Sequence, residues 1–142
     1  MGVENPPVSG LGAWATYTPQ VDQGVTTNIA ATVVWANYTQ IGHMVIAHVR
    51  LLITGTGTAG QAVKVKLPVT VLTNVSLFGV GSTFIRDLSA GADYRGVGIL
   101  GNDSYISFRR GDTTVQSDIG VDPNIAVANG DIIAFGISYE AA

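Results

Sequence analysis

The stretch Met44 to Thr54 sets the narrowest limits on what this chain can fold into. Every second residue is apolar: Val45, Ala47, Val49, Leu51 and Ile53. The intervening residues mix Met44, Ile46 and Leu52 with His48, Arg50 and Thr54. Side chains on a strand alternate faces with a period of two. The first set therefore predicts a core face, and the second a partly polar surface or interface. A strand with one apolar face must be covered by another layer.

Beyond this strand comes Gly55-Thr56-Gly57-Thr58-Ala59-Gly60, then Gln61 to Leu67, where Val63, Val65 and Leu67 alternate with Lys64 and Lys66. Two alternating runs separated by six glycine-rich residues predict a long hairpin with that loop at its tip. The loop also spells G-x-G-x-x-G. A dinucleotide site needs a helix to begin inside that loop, because the helix N-terminus holds the pyrophosphate. The residues that follow read as strand and end at Leu67-Pro68, so no cofactor is expected.

The rest of the chain has the same character. Trp14-Ala15-Thr16-Tyr17-Thr18-Pro19 reads as a short edge strand closed by proline. Gln20 to Thr27 reads as a polar turn. Asn28 to Tyr38 reads as a strand with Ile29, Ala31, Val33 and Trp35 on one parity. Asn74 to Ser82 is expected to be a loop, and Thr83 to Asp87 a strand. Asp93 to Leu100 is a strand in which Gly96 and Gly98 leave room for a close neighbour. Ser104 to Arg109 follows the turn Gly101-Asn102-Asp103, and Val115 to Val121 is ambiguous. Ile132 to Tyr139 closes the chain, with Ile133, Phe135, Ile137 and Tyr139 opposite the small Ala134, Gly136 and Ser138. No window sustains a helical period with caps. Short strands separated by turns predict an all-β antiparallel sandwich or barrel.

Composition narrows the function classes. The 142 residues fit one domain, of which 12% are charged and 46% hydrophobic. That charged fraction is about half the usual one, so either Ser, Thr, Asn and Gln do the solvating or surface is buried against partners, and a subunit of a larger assembly would show both. There is no cysteine, which removes disulfides and thiolate metal sites. The net charge is −3 and the seven basic residues are scattered, so no clustered patch for nucleic acid is present. No apolar run approaches the roughly 18 residues of a membrane span. Met1 to Gly10 lacks the basic start and apolar segment of a secretory signal.

The chemistry-bearing residues do not assemble into a catalytic pattern. His43 and His48 fall on opposite faces of one strand. No Ser-His-Asp arrangement or nucleophile elbow is visible, so no enzyme is expected and no catalytic residue is assigned. Asp118, Asp122 and Asp131 could converge on calcium, but acidic residues in turns more often serve local hydrogen bonds, and no metal is expected. Arg110-Gly111-Asp112 spells an adhesion tripeptide, and an arginine before a Gly-Asp turn explains it better. Trp14, Tyr17, Trp35 and Tyr38 would suit a carbohydrate platform, a core or an interface.

Residues 1–12 form a separate segment. Pro6 and Pro7 favour extended polyproline geometry and forbid helix, and Gly2, Gly10 and Gly12 surround them. An extended anchoring arm is expected over 1–12, with Val3, Glu4, Asn5, Pro6, Pro7 and Val8 docking on a neighbouring subunit (an arm folded back on its own domain is the alternative), and a β-sandwich domain over 13–142.

The order of several short motifs carries a resemblance. Trp14-Ala15-Thr16-Tyr17-Thr18-Pro19 is followed by Tyr38-Thr39-Gln40-Ile41-Gly42-His43, then Ile53-Thr54-Gly55-Thr56-Gly57 and Leu67-Pro68-Val69. Asn129-Gly130-Asp131 precedes the last strand, which ends at Tyr139-Glu140. In this order the chain resembles the small β-structured virion proteins of tailed bacteriophages, of minor tail, fibre-tip or head-decoration type. The resemblance implies a jelly-roll-like β-sandwich, commonly a homotrimer, located in the virion. Other virion structural proteins of tail or capsid would be its partners, with a host cell-surface glycan as a further one, and neither nucleic acid nor membrane. A domain with an arm and no shaft suits capsid decoration or cement, or a head fibre, as well as tail attachment. A carbohydrate-binding module is the remaining alternative. The mixed face of Met44, Ile46, His48, Arg50 and Leu52 is too apolar for open water and too polar for a dry core. It is expected at a subunit interface near a threefold axis.

Overall fold

The computed structural model describes residues 12–72, 79–112 and 117–142. Among them there is no helix. Nine strands run in chain order: β1 (Ala15–Thr16), β2 (Val21–Gln23), β3 (Ala31–Ile41), β4 (Met44–Ile53), β5 (Val63–Lys66), β6 (Gly79–Asp87), β7 (Ala92–Leu100), β8 (Tyr105–Arg110) and β9 (Ile132–Glu140). They form one sheet in the order β1-β3-β4-β9-β6-β7-β8-β5-β2, and every pairing is antiparallel. The antiparallel all-β class is the one the alternating runs predict. β6, β7 and β8 form a meander, and β9 returns beside β6 to complete a Greek key. The jelly-roll name goes further than this strand order carries.

The ends of the sheet meet. β1 and β2 stand at opposite edges of the strand order, yet only residues 17–20 separate them in the chain. The Tyr17 amide donates to the Ala36 carbonyl of β3 at 3.1 Å, and the Lys66 amide of β5 donates to the Gln20 carbonyl at 2.8 Å. Thr18 and Pro19 alone carry the chain from one edge to the other. The sheet therefore curls on itself, and its interior holds the core. Pro19 suits this corner, because it has no N–H to leave unpaired.

The alternation in β4 does what its pattern predicts. Val45, Ala47, Val49, Leu51 and Ile53 are all buried. They meet Ile133, Phe135, Ile137 and Tyr139 from β9, whose register sets Val49 against Phe135 and Leu51 against Ile133. Val63 and Val65 of β5 and Ile106 and Phe108 of β8 complete the far wall, with Lys64 and Lys66 turned outward. β3 and β4 join through Gly42-His43, with Gly42 at φ 60° in the first turn position, where a type II′ hairpin takes glycine.

Three local expectations need correction. First, β4 and β5 do not form a hairpin. β4 pairs with β3 and β9, and β5 pairs with β8 and β2. Gly55–Gly60 is a crossover loop at one end of the curled sheet, held by the Gly57 amide on the Val127 carbonyl (2.8 Å) and the Gly60 amide on the Gly120 carbonyl (3.0 Å). Second, Gln20 to Thr27 contains β2, whose Val21 and Gln23 are buried. Third, the expected loop over Asn74 to Ser82 ends in strand, since β6 begins at Gly79; its part up to Phe78 lies outside the described residues.

Candidate functional site

The residues singled out on β4 share one surface. Met44, Ile46, His48, Arg50 and Leu52 all lie on the outer face of the sheet, opposite the core. In the single chain Met44 is 56% exposed and Leu52 38%, with His48 exposed and Ile46 and Arg50 half-buried. Their cross-strand neighbours on β3 extend the patch. Ile41 pairs with Met44, and Trp35 pairs with Arg50. Trp35 reaches the outer face because β3 bulges between Val33 and Trp35, inserting Val34. Beyond the bulge the inward parity moves to Ala36 and Tyr38. A bulge places two residues opposite one and flips the side-chain parity after it.

One cation–aromatic contact and one pair of stacked rings order this surface. The Arg50 guanidinium sits 5.4 Å from the centre of the Trp35 ring. The rings of Trp14 and His48 lie 5.6 Å apart, tilted by 37°. Trp14 and Trp35 are 56% and 45% exposed. Tyr17 and Tyr38 belong to the other side of the sheet, meeting edge to face at 5.9 Å and packed against the core. The four aromatics of the carbohydrate platform are thus divided between two faces.

A groove runs along the outer face of β9. Its floor is Ala134, Gly136 and Ser138, the small parity of that strand. Trp35 and His48 wall one side, and Ser82, Phe84 and Arg95 from β6 and β7 wall the other, around a cavity of about 570 Å³. The depression continues past Gly136 and Ser138 between Ile46 and Gly81, with about 380 Å³. It ends beside Met44 and Glu140, with about 310 Å³. The track exists because β9 carries small side chains between strands that carry large ones. Neither Arg50 nor Arg95 has a carboxylate partner among the described residues.

The acidic residues have local duties. Arg109 binds Asp118 at 3.1 Å. Asp122 accepts from Arg110 at 3.3 Å and from the Ser117 hydroxyl at 3.1 Å. Asp131 is buried and accepts the amides of Leu88 and Ala128, both at 2.9 Å. Asp118, Asp122 and Asp131 are not brought together, and among the described residues no three His, Cys, Asp or Glu side chains are. Arg110 forks onto both carboxylate oxygens of Asp112 at 2.8 Å, so the Arg-Gly-Asp tripeptide closes on itself. His43 sits in the hairpin turn, its Nδ1 3.2 Å from the Ala141 carbonyl, while His48 lies on the outer face against Trp14.

Two buried polar groups find partners that the sequence does not mark: Gln23, among turn-like neighbours, and Tyr139, on the core parity of β9. Gln23 is fully buried. Its amide nitrogen donates to the carbonyls of Gln61 (2.9 Å) and Ile125 (2.7 Å), and its oxygen accepts the Val127 amide at 3.0 Å. It ties the crossover loop to the segment before β9, and Gly57 is glycine because a Cβ there would meet the Gln23 side chain. The Tyr139 hydroxyl donates to the Val69 carbonyl at 2.9 Å and accepts the Val69 amide at 3.1 Å. Burial pushes Tyr139 up to about 12 and raises Tyr17 further.

The arm residues Val3, Glu4, Asn5, Pro6, Pro7 and Val8 lie outside the described residues. No protein-family model, curated protein or solved structure matches this chain.

Proposed function

We propose that this chain is a structural protein of a bacteriophage particle, of minor tail or fibre-tip type. It self-associates as a homotrimer, joins its neighbours through the arm of residues 1–12 and contacts the host surface. The observation that supports self-association is the outer face of β3 and β4. There Trp35, Ile41, Met44 and Leu52 lie exposed in one patch on a chain with few charges. Exposed apolar patches of this kind on a small domain mark interaction surfaces. The assignment to a phage particle rests on the order of the short motifs from Trp14 to Glu140.

Capsid decoration or a head fibre is the second reading, which the proline-containing arm of residues 1–12 suits as well. A carbohydrate-binding module remains the third. Its four-aromatic platform is divided, but exposed Trp14 and Trp35 retain stacking surface. Sedimentation of the full chain separates the classes: three copies fit the particle reading, and one copy that binds glycans fits the third. Removal of residues 1–12 should leave a folded domain that no longer joins particles. Normal incorporation of that truncated protein would remove the attachment role of the arm.

A further inference from the structure

We infer that the groove over β9 receives the N-terminal arm, Met1–Leu11, of a neighbouring copy. This rests on the self-association proposed above and names the contact through which the arm would act.

The groove has the shape and chemistry for an extended, proline-containing segment. Its floor of Ala134, Gly136 and Ser138 is low, and its walls include the aromatic rings of Trp35 and Phe84. A sheet face offers no free backbone ladder, so an occupant cannot gain by adding a strand there. Polyproline segments need no ladder, and they dock in aromatic-lined grooves because their extended form is already set. Pro6 and Pro7 favour that form, and Val3, Val8 and Leu11 supply apolar side chains. Glu4, its one charged side chain, complements Arg50 and Arg95, which have no carboxylate partner among the described residues.

Reach and starting point also agree. In polyproline geometry Val3–Leu11 would span roughly 28 Å. The nine residues of β9 span about 30 Å. The described chain begins at this face, with Gly12 against Ile41 and Trp14 on His48. The register of β1 on β3 sends the preceding residues toward the Ile41–Met44 end of the sheet. To enter its own groove the arm would have to reverse there and cross β3 and β4, a lateral distance of roughly 14 Å from β1 to β9. A neighbouring copy can present its groove without that reversal.

The absence of native cysteine makes the test direct. Full-length chains carrying Val8→Cys are mixed with full-length chains carrying Ser138→Cys and mildly oxidised. A disulfide-linked pair should form in about tenfold greater yield than with Ser89→Cys, an exposed control position away from the groove. Gly136→Leu in the receiving chain fills the track and should cut the yield about tenfold. A Cβ at this position meets only the His48 ring, at 3.4 Å, so the fold should tolerate it. Replacing Pro6 and Pro7 by glycine in the arm cannot disturb the receiving groove, and should lower the yield as well. A yield equal to the Ser89→Cys control would overturn the inference. So would a disulfide that forms only within a chain carrying both cysteines. Sedimentation of the same samples keeps the two proposals apart. An oligomer without the linkage overturns only the groove assignment, while a monomer overturns the self-association too.

Discussion

At the scale of single residues, the buried polar groups determine how the ends of the curled sheet hold. Tyr139 lies on the core parity of β9, and its hydroxyl engages both backbone groups of Val69. Its folded pKa stands near 12 against an ordinary 10.0, because burial penalises the phenolate. The sign follows from which form each state prefers. Below pH 10 both folded and unfolded chains keep the phenol neutral, and its stabilising effect is complete. Between pH 10 and about 12 the unfolded chain ionises first, so stability falls as pH rises. The urea midpoint should therefore be flat from about pH 7 to 9.5 and decline above 10. Tyr17, raised in the same direction, adds to that decline. Tyr139→Phe should cost about 1–2 kcal/mol at pH 7, since it leaves two part-buried backbone groups of Val69 without their partner, and should make the alkaline decline shallower. An unchanged alkaline decline in the variant would show that other groups cause it. Gln23 makes the complementary point about legibility. Nothing in Gln20 to Thr27 distinguishes a glutamine that satisfies three distant backbone groups from one exposed in a turn, because its partners lie 38 to 104 residues away.

At the scale of elements, alternation was readable wherever a strand stayed regular, and failed where it did not. β4, β5, β8 and β9 bury the parity their sequence marks. β3 does not, because Val34 is inserted and Trp35 moves to the outer face. A bulge is a matter of pairing, and its residues are otherwise ordinary strand formers. The false hairpin has a similar origin. Two alternating runs flanking a glycine-rich loop look alike whether they pair with each other or with distant strands, and only β9 and β8 decide the matter. The groove floor was visible as the small parity of β9, but its walls required the strand order. The glycines of β7 offer a test at this scale. A Cβ on Gly96 would collide with the Arg109 backbone carbonyl of β8, and one on Gly98 with Ile106 and Thr83. Gly91, in the β6–β7 turn at φ 60°, has nothing near its missing Cβ. Gly96→Ala should cost about 2–4 kcal/mol through forced displacement of a paired strand. Gly91→Ala should cost about 1 kcal/mol, from backbone conformation alone. Equal thermal shifts for the two would mean that β7 and β8 can separate freely, contrary to the close approach of their backbones.

At the scale of the whole molecule, the curled sheet leaves the protein with two very different surfaces. Thr18-Pro19 joins the sheet edges, and β1 covers Asn37 and Tyr38 of the β3 edge. For the association of copies proposed above, the outer side of β3, β4 and β9 offers an apolar face. Met44 and Leu52 mark its two ends on β4, both exposed and neither in contact with the core. Replacing both by lysine should change the stability of the isolated fold by no more than about 0.5 kcal/mol each, as for other surface substitutions. If this face joins copies, the same lysines are buried without partners at each contact, at a cost of several kcal/mol per site. Met44→Lys combined with Leu52→Lys should then convert the sedimenting species from three copies to one while the circular dichroism spectrum stays that of the parent. An unchanged mass would place the subunit contact on another face. A parent that already sediments as one copy would favour the glycan-binding reading, with Trp14 and Trp35 as its stacking surface.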